Sequence, residues 1–146
     1  MRLVFATKDL TLAGRSFEGF PLIIGSEGWP VEPAQTFLWQ ALIESGESLS
    51  DLTWEAYGRR LYDYFAFLDA NGLAWDEESP AHGLSVLSRY RDWSSGELSL
   101  DPGTVNNRLA LVVRFYRWAK QRGLITILPF GEKRGRAAPH QGLLTH

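Results

Sequence analysis

The 146-residue chain has no cysteine, so neither a disulfide framework nor thiolate chemistry is available to it. That fits a reducing compartment, and the expected location is cytoplasmic. No apolar run approaches the roughly 18 residues that a membrane span needs. The start, Met1-Arg2-Leu3-Val4-Phe5-Ala6-Thr7-Lys8-Asp9, is charged too early for a secretory signal. No membrane partner is expected. His82, His140 and His146 have no cysteine and no paired histidine spacing beside them, so no metal site is expected and they read as ordinary exposed histidines. There is no G-x-x-x-x-G-K-S/T phosphate loop and no G-x-S-x-G elbow. Asp76-Glu77-Glu78 is a consecutive run that reads as a solvated charge cluster rather than an acid/base pair. No cofactor is expected, and nothing supports an enzyme acting alone.

What is present is enough for one folded domain. Hydrophobic residues make up 45% and charged residues 22%, ordinary globular usage that argues against overall disorder. Six Trp, eight Phe and five Tyr supply large core anchors. The net charge of −2 conceals a sorting. Residues 1–101 carry seven Lys/Arg against sixteen Asp/Glu, a balance of −9, and residues 102–146 carry eight against one, a balance of +7. Such asymmetry suggests a nucleic-acid or membrane contact at the basic end, and equally fits a solvated helix followed by a basic tail.

The expected fold class is all-α, a compact four-helix domain preceded by a short extended or hairpin segment. Residues 1–31 hold two extended pieces, Leu3–Thr7 and Phe20–Ile24, and a turn at Gly25-Ser26-Glu27-Gly28. Residues 32–128 form the helical domain and residues 129–146 a linker or tail. The first helix is predicted from about Pro33 to Ser45, with Gly46 past its end. The second starts at Ser50 or Asp51 and stops at Asn71-Gly72, with Trp54, Tyr57, Leu61, Tyr64/Phe65 and Leu68 at helical spacing. The third is predicted to begin after Ser79-Pro80 and to end before Gly96. The fourth opens at Asp101-Pro102 and closes at Gly123. At 100° per residue, Val105, Leu109, Val112, Tyr116 and Ala119 share an arc of about 80°, flanked by Leu111, Phe115 and Trp118.

Opposite that arc lie Asn106, Asn107, Ala110, Arg114, Arg117 and Gln121. Asn and Gln can pair with adenine edges, and Arg can fork onto guanine or phosphate. Thr104 at the helix start and Arg108 at the edge of the core arc are candidate phosphate contacts, helped by the free N–H groups of a helix N-terminus. Such a helix could lie in a major groove. The same pattern also serves a surface helix that is basic for solubility, and the residues alone leave both readings open.

The order of residues resembles a known family. The second helix reads Leu52-Thr53-Trp54-Glu55-Ala56-Tyr57-Gly58-Arg59-Arg60-Leu61, then Phe65-Ala66-Phe67-Leu68, and the third ends Tyr90-Arg91-Asp92-Trp93. The fourth reads Thr104-Val105-Asn106-Asn107-Arg108-Leu109-Ala110-Leu111-Val112-Val113-Arg114-Phe115-Tyr116-Arg117-Trp118-Ala119, followed by Gly123-Leu124-Ile125 and Pro129-Phe130. Together with the leader from Phe20 to Leu38, these are similar to the N-terminal core-binding, SAM-like domain of tyrosine recombinases, the phage-integrase family. Leu128 before Pro129 departs from the family's exit pattern. The resemblance implies double-stranded DNA as partner, held by Thr104, Asn106, Asn107, Arg108, Arg114 and Arg117, with Arg59 and Arg60 on the second helix and Lys133, Arg134 and Arg136 tracking phosphate along the linker. It implies that the nucleophilic Tyr and its Arg and His partners belong to a second, C-terminal domain. No His-x-x-Arg box occurs here and all five Tyr fall in predicted helices, so the catalytic domain is read as missing. The chain is then a truncated piece or a free-standing remnant that binds DNA without recombining it. Its acidic first hundred residues would face a neighbouring protomer or the missing domain. The rival readings are a helical protein–protein interaction module, a helix-turn-helix regulator and a catalytic fragment. The Gly96–Asp101 connection is longer than the 3–4-residue turn of a helix-turn-helix.

Overall fold

The structure, a computed structural model, describes residues 1–46, 50–77 and 85–130. Contacts divide the chain into two units, Met1–Ala66 and Phe67–His146.

The first unit begins with paired strands. β1 (Arg2–Phe5) runs antiparallel to β4 (Pro21–Ile24), with Arg2 opposite Ile24 and Phe5 opposite Pro21. Between them, β2 (Thr11–Leu12) and β3 (Arg15–Ser16) close a tight hairpin at Ala13 and Gly14, whose φ values are 53° and 77°. Two successive left-handed residues give a two-residue turn the twist that its strands require. Along an antiparallel strand, N–H and C=O alternate between the two sides. Ala6 N–H donates to Phe20 O (2.9 Å), which turns Leu22 and Ile24 toward β1 and Pro21 and Ile23 away from it.

That outer side of β4 is closed by α1 (Ala34–Trp39) and the segment before it. The Gln35 amide accepts from Ile23 N–H and donates to Pro21 O, both at 2.9 Å, and Val31 N–H donates to Ile23 O at 2.8 Å. The side-chain amide and the Val31 backbone together stand in for a third strand. After Trp39 the helix widens into a π-helical turn, Gln40–Glu44, and stops before Gly46 at φ +83°. Ser50 caps α2 (Asp51–Ala70), its Oγ accepting from Thr53 N–H at 3.2 Å. Gly58 lies against β4: a Cβ there would stand 2.4 Å from Cβ of Pro21, so only glycine permits the approach. Phe20 joins this packing with its ring 5.5 Å from Trp39 and 5.7 Å from Trp54.

The second unit contains the end of α2, α3 (Val86–Asp92), a π-helical turn at Trp93–Glu97, and α4 (Pro102–Gln121). Asn71-Gly72 stops α2, with Gly72 at φ +64° and Leu73 N–H returning to Leu68 O at 2.9 Å. Aromatic rings fill this unit. Phe67 lies 5.4 Å from Tyr90 and 5.0 Å from Trp93, Trp75 lies 5.5 Å from Phe115, and the Tyr116 hydroxyl donates to Trp75 O at 2.7 Å. Gly123, at φ +79°, ends α4, and Leu124 N–H closes back on Ala119 O at 2.9 Å.

Two expectations change. The described residues are mostly helical but not purely all-α, because the hairpin is part of the first unit's packing rather than only a leader. The third helix ends later than predicted, and among the described residues it begins at Val86. Ser85, in extended conformation, caps it by accepting from Ser88 N–H at 3.0 Å, and the helix then runs through its π-helical turn to Glu97, past Gly96. Ser79, Pro80, His82 and Leu84 lie outside the described residues.

Candidate nucleic-acid interface

α4 forms because its propensities, caps and periodicity agree. The Asp101 carboxylate accepts from Thr104 N–H at 2.9 Å, and Pro102 occupies the first turn, where its missing N–H costs nothing. Val105, Leu109, Val112, Tyr116 and Ala119 are buried, as the periodicity predicts, and so are Leu111 and Phe115 beside them. Val113 is buried too, which its place beyond that arc did not predict.

On the other side, Asn106, Asn107, Ala110, Arg114, Arg117 and Gln121 are all exposed. At 100° per residue they span about 100° of the helix surface. Residues 102–121 contain no Asp or Glu, so the helix itself puts no carboxylate into that stripe. Small Ala110 lies between the amides and the guanidiniums and lets another molecule come close to the backbone. Lys120 and Arg122, which the sequence reading did not select, are exposed and extend the cationic surface. Cations in a last helical turn also suit the macrodipole, which masks them as site candidates in a sequence. Arg117 reaches over the Phe130 ring at 5.8 Å and Arg122 over Trp118 at 5.3 Å, so both guanidiniums rest on aromatic faces.

The remaining candidates are placed differently. Arg108 is half-buried at the edge of the core arc, about 100° around the helix from the stripe. Thr104 is exposed but serves the cap: hydrogen bonding from its side chain, then from its N–H, holds the Asp101 carboxyl below the ordinary aspartate range. A carboxylate therefore stands where free N–H groups would have received a phosphate. Arg59, in the first unit, is ion-paired to Glu55 at 2.8 Å and lies 5.3 Å over the Phe5 ring, while Arg60 is half-buried. Lys133, Arg134 and Arg136 lie outside the described residues.

Among the described residues no three His, Cys, Asp or Glu side chains gather as a metal-binding group, and no helix is long and apolar enough to cross a membrane. A small depression of about 20 Å³ between Leu87, Ser88, Arg91, Leu109 and Phe130 holds one charged group, Arg91, itself 3.3 Å from the Asp92 carboxylate.

Comparison with known proteins agrees with the order of motifs. No curated protein and no solved structure matches the chain. A family model described as phage integrase, N-terminal SAM-like domain, matches residues 38–123, more than half of the sequence and all of α2 and α4. That domain is not the catalytic one of its family. The chain belongs to the phage-integrase N-terminal SAM-like family, the core-binding domain of tyrosine recombinases.

Proposed function

We propose that this chain holds double-stranded DNA for a site-specific tyrosine recombinase or integrase, as one arm of a clamp whose cutting chemistry belongs to a separate C-terminal domain. The observation that carries this reading is the exposed, carboxylate-free stripe of α4, where amides and guanidiniums share one arc above an aromatic core. Asn106 and Asn107 are suited to base edges, and Arg114 and Arg117 to phosphate or guanine. Arg108 assists from the edge of the core arc, and Thr104 acts from within its cap. Arg59 and Arg60 add a backbone contact once Glu55 releases Arg59, a small cost for an exposed pair. Residues 32–128 act as the DNA-holding domain, and the linker from 129 brings Lys133, Arg134 and Arg136 to phosphate.

Binding of the 146-residue chain to duplex DNA across a salt series tests this. Affinity should fall as salt rises, and Arg114→Ala should weaken binding to all sequences and make the log–log salt slope shallower by about one. Asn107→Ala should reduce discrimination between sequences more than it reduces the slope. An absence of binding at low salt overturns the reading in favour of a protein-interaction module.

A further inference from the structure

The two edges of the β1–β4 pair are treated unequally. Natural sheets block their edges with proline, charge, bulges or covering groups, because an open edge templates another strand. β4 is covered in this way by Gln35 and Val31. On β1, Arg2 and Val4 are the residues that face β4, so Leu3 and Phe5 point their N–H and C=O outward. No described residue hydrogen-bonds to the Leu3 or Phe5 backbone on that side. The free stretch is bounded. Before it, Met1 O accepts from the Tyr62 hydroxyl at 3.2 Å, and after it Thr7 O accepts from Leu10 N–H at 3.1 Å. Leu3, Val4 and Phe5 include no proline and no charge, and Arg2, the charged residue of β1, precedes them.

We propose that β1 is a self-pairing edge, which joins the β1 of a second copy of this chain antiparallel about a two-fold axis at Val4. The strand is its own complement. Leu3 and Phe5 flank Val4 symmetrically, so Leu3 of one copy exchanges both backbone bonds with Phe5 of the other, and Phe5 with Leu3, giving four hydrogen bonds. The two Val4 residues then form a non-hydrogen-bonded pair with Cα atoms about 4.5 Å apart. Val4 lies on the face away from α2 and is 38% exposed, so the contact covers apolar surface that is otherwise wet. Arg2 falls opposite Ala6 of the other copy, and no like charges stand directly across from each other. Six strand residues bury far less than the roughly 1,200 Å² of a stable interface. The pairing is therefore transient in dilute solution and strengthens when two copies are held close together. The proposal is independent of the DNA reading.

The cysteine-free sequence makes the test direct. In Val4→Cys the only thiol would face its own copy at a spacing that a disulfide spans. Leu12→Cys, at a 49% exposed position on the separate β2–β3 hairpin, supplies the collision rate. Under mild oxidation with diamide, Val4→Cys should form covalent dimer at least ten times faster than Leu12→Cys at equal concentration. Leu3→Pro, which removes an outward N–H without touching the β1–β4 ladder, should abolish the excess. In sedimentation at high concentration, Val4→Lys and Val4→Glu should each be monomeric alone and should associate when mixed. Equal rates for the two cysteine variants, or a mixture that behaves like its components, overturn the proposal. Unchanged melting of each variant guards against a folding artefact.

Discussion

The two units are held together by different means. In residues 1–66, ring packing of Phe20 with Trp39 and Trp54 is joined by directed contacts: the Gln35 amide on β4, the Ala6–Phe20 bond, and a backbone approach that only Gly58 permits. From Phe67 onward, tilted and edge-on rings around α3 and α4 fill the core, and Tyr116 adds one hydrogen bond to Trp75 O. Directed contacts fail singly and sharply. Ring packing fails in proportion to the volume removed. The first unit should therefore be sensitive to small additions and the second to large deletions.

Phe115→Ala tests this contrast most strongly. Phe115 is fully buried, and removing its ring should cost about 3–5 kcal/mol in a urea titration. A loss below 1 kcal/mol would show that the second unit does not depend on its rings. Gly58→Ala should come next. Adding one methyl group against Pro21 should cost about 1–3 kcal/mol, although alanine is the better helix former. A neutral or stabilising result would mean that α2 and β4 separate freely. The smallest effect is at Asp101. Its carboxyl titrates below the ordinary aspartate range, so the unfolded chain takes up a proton at higher pH than the folded one does. The stabilisation is complete at neutral pH, begins to fade as pH drops through the unfolded value, and is lost below the folded one. Asp101→Asn keeps a capping oxygen but cannot titrate, so its melting temperature should fall less than the parent's between pH 5 and pH 3. Parallel curves would remove Asp101 from the acid response.

How much of this could be read beforehand follows from the range of each signal. The limits of α2 and α4 are visible in the sequence because their capping groups, Ser50, Asp101, Gly72 and Gly123, lie within a few residues of the periodic run that they close. The exposed stripe of α4 follows from the same periodicity. The Ser85 cap of α3 was not anticipated, because Ser79-Pro80 already offers a helix start in the sequence and the Ser85–Ser88 bond is a matter of geometry. The hairpin's part in the fold was out of reach. It depends on Gln35 meeting residues 12 and 14 positions earlier in the chain and on Gly58 meeting Pro21, and no local rule encodes either. At the candidate site, residue types and exposure were legible. The engagement of Thr104 with Asp101, and of Arg59 with Glu55 and Phe5, was not, because partner choice among neighbouring polar groups is a matter of geometry.

Gln35 also fixes the valence of the sheet. A strand pair with two bare sides can add neighbours without limit, and the end of that series is a filament. With its amide seated on Pro21 and Ile23, this sheet has one side left. If β1 self-pairs as proposed, lateral growth stops after a single step, because Gln35 and Val31 together close the other side.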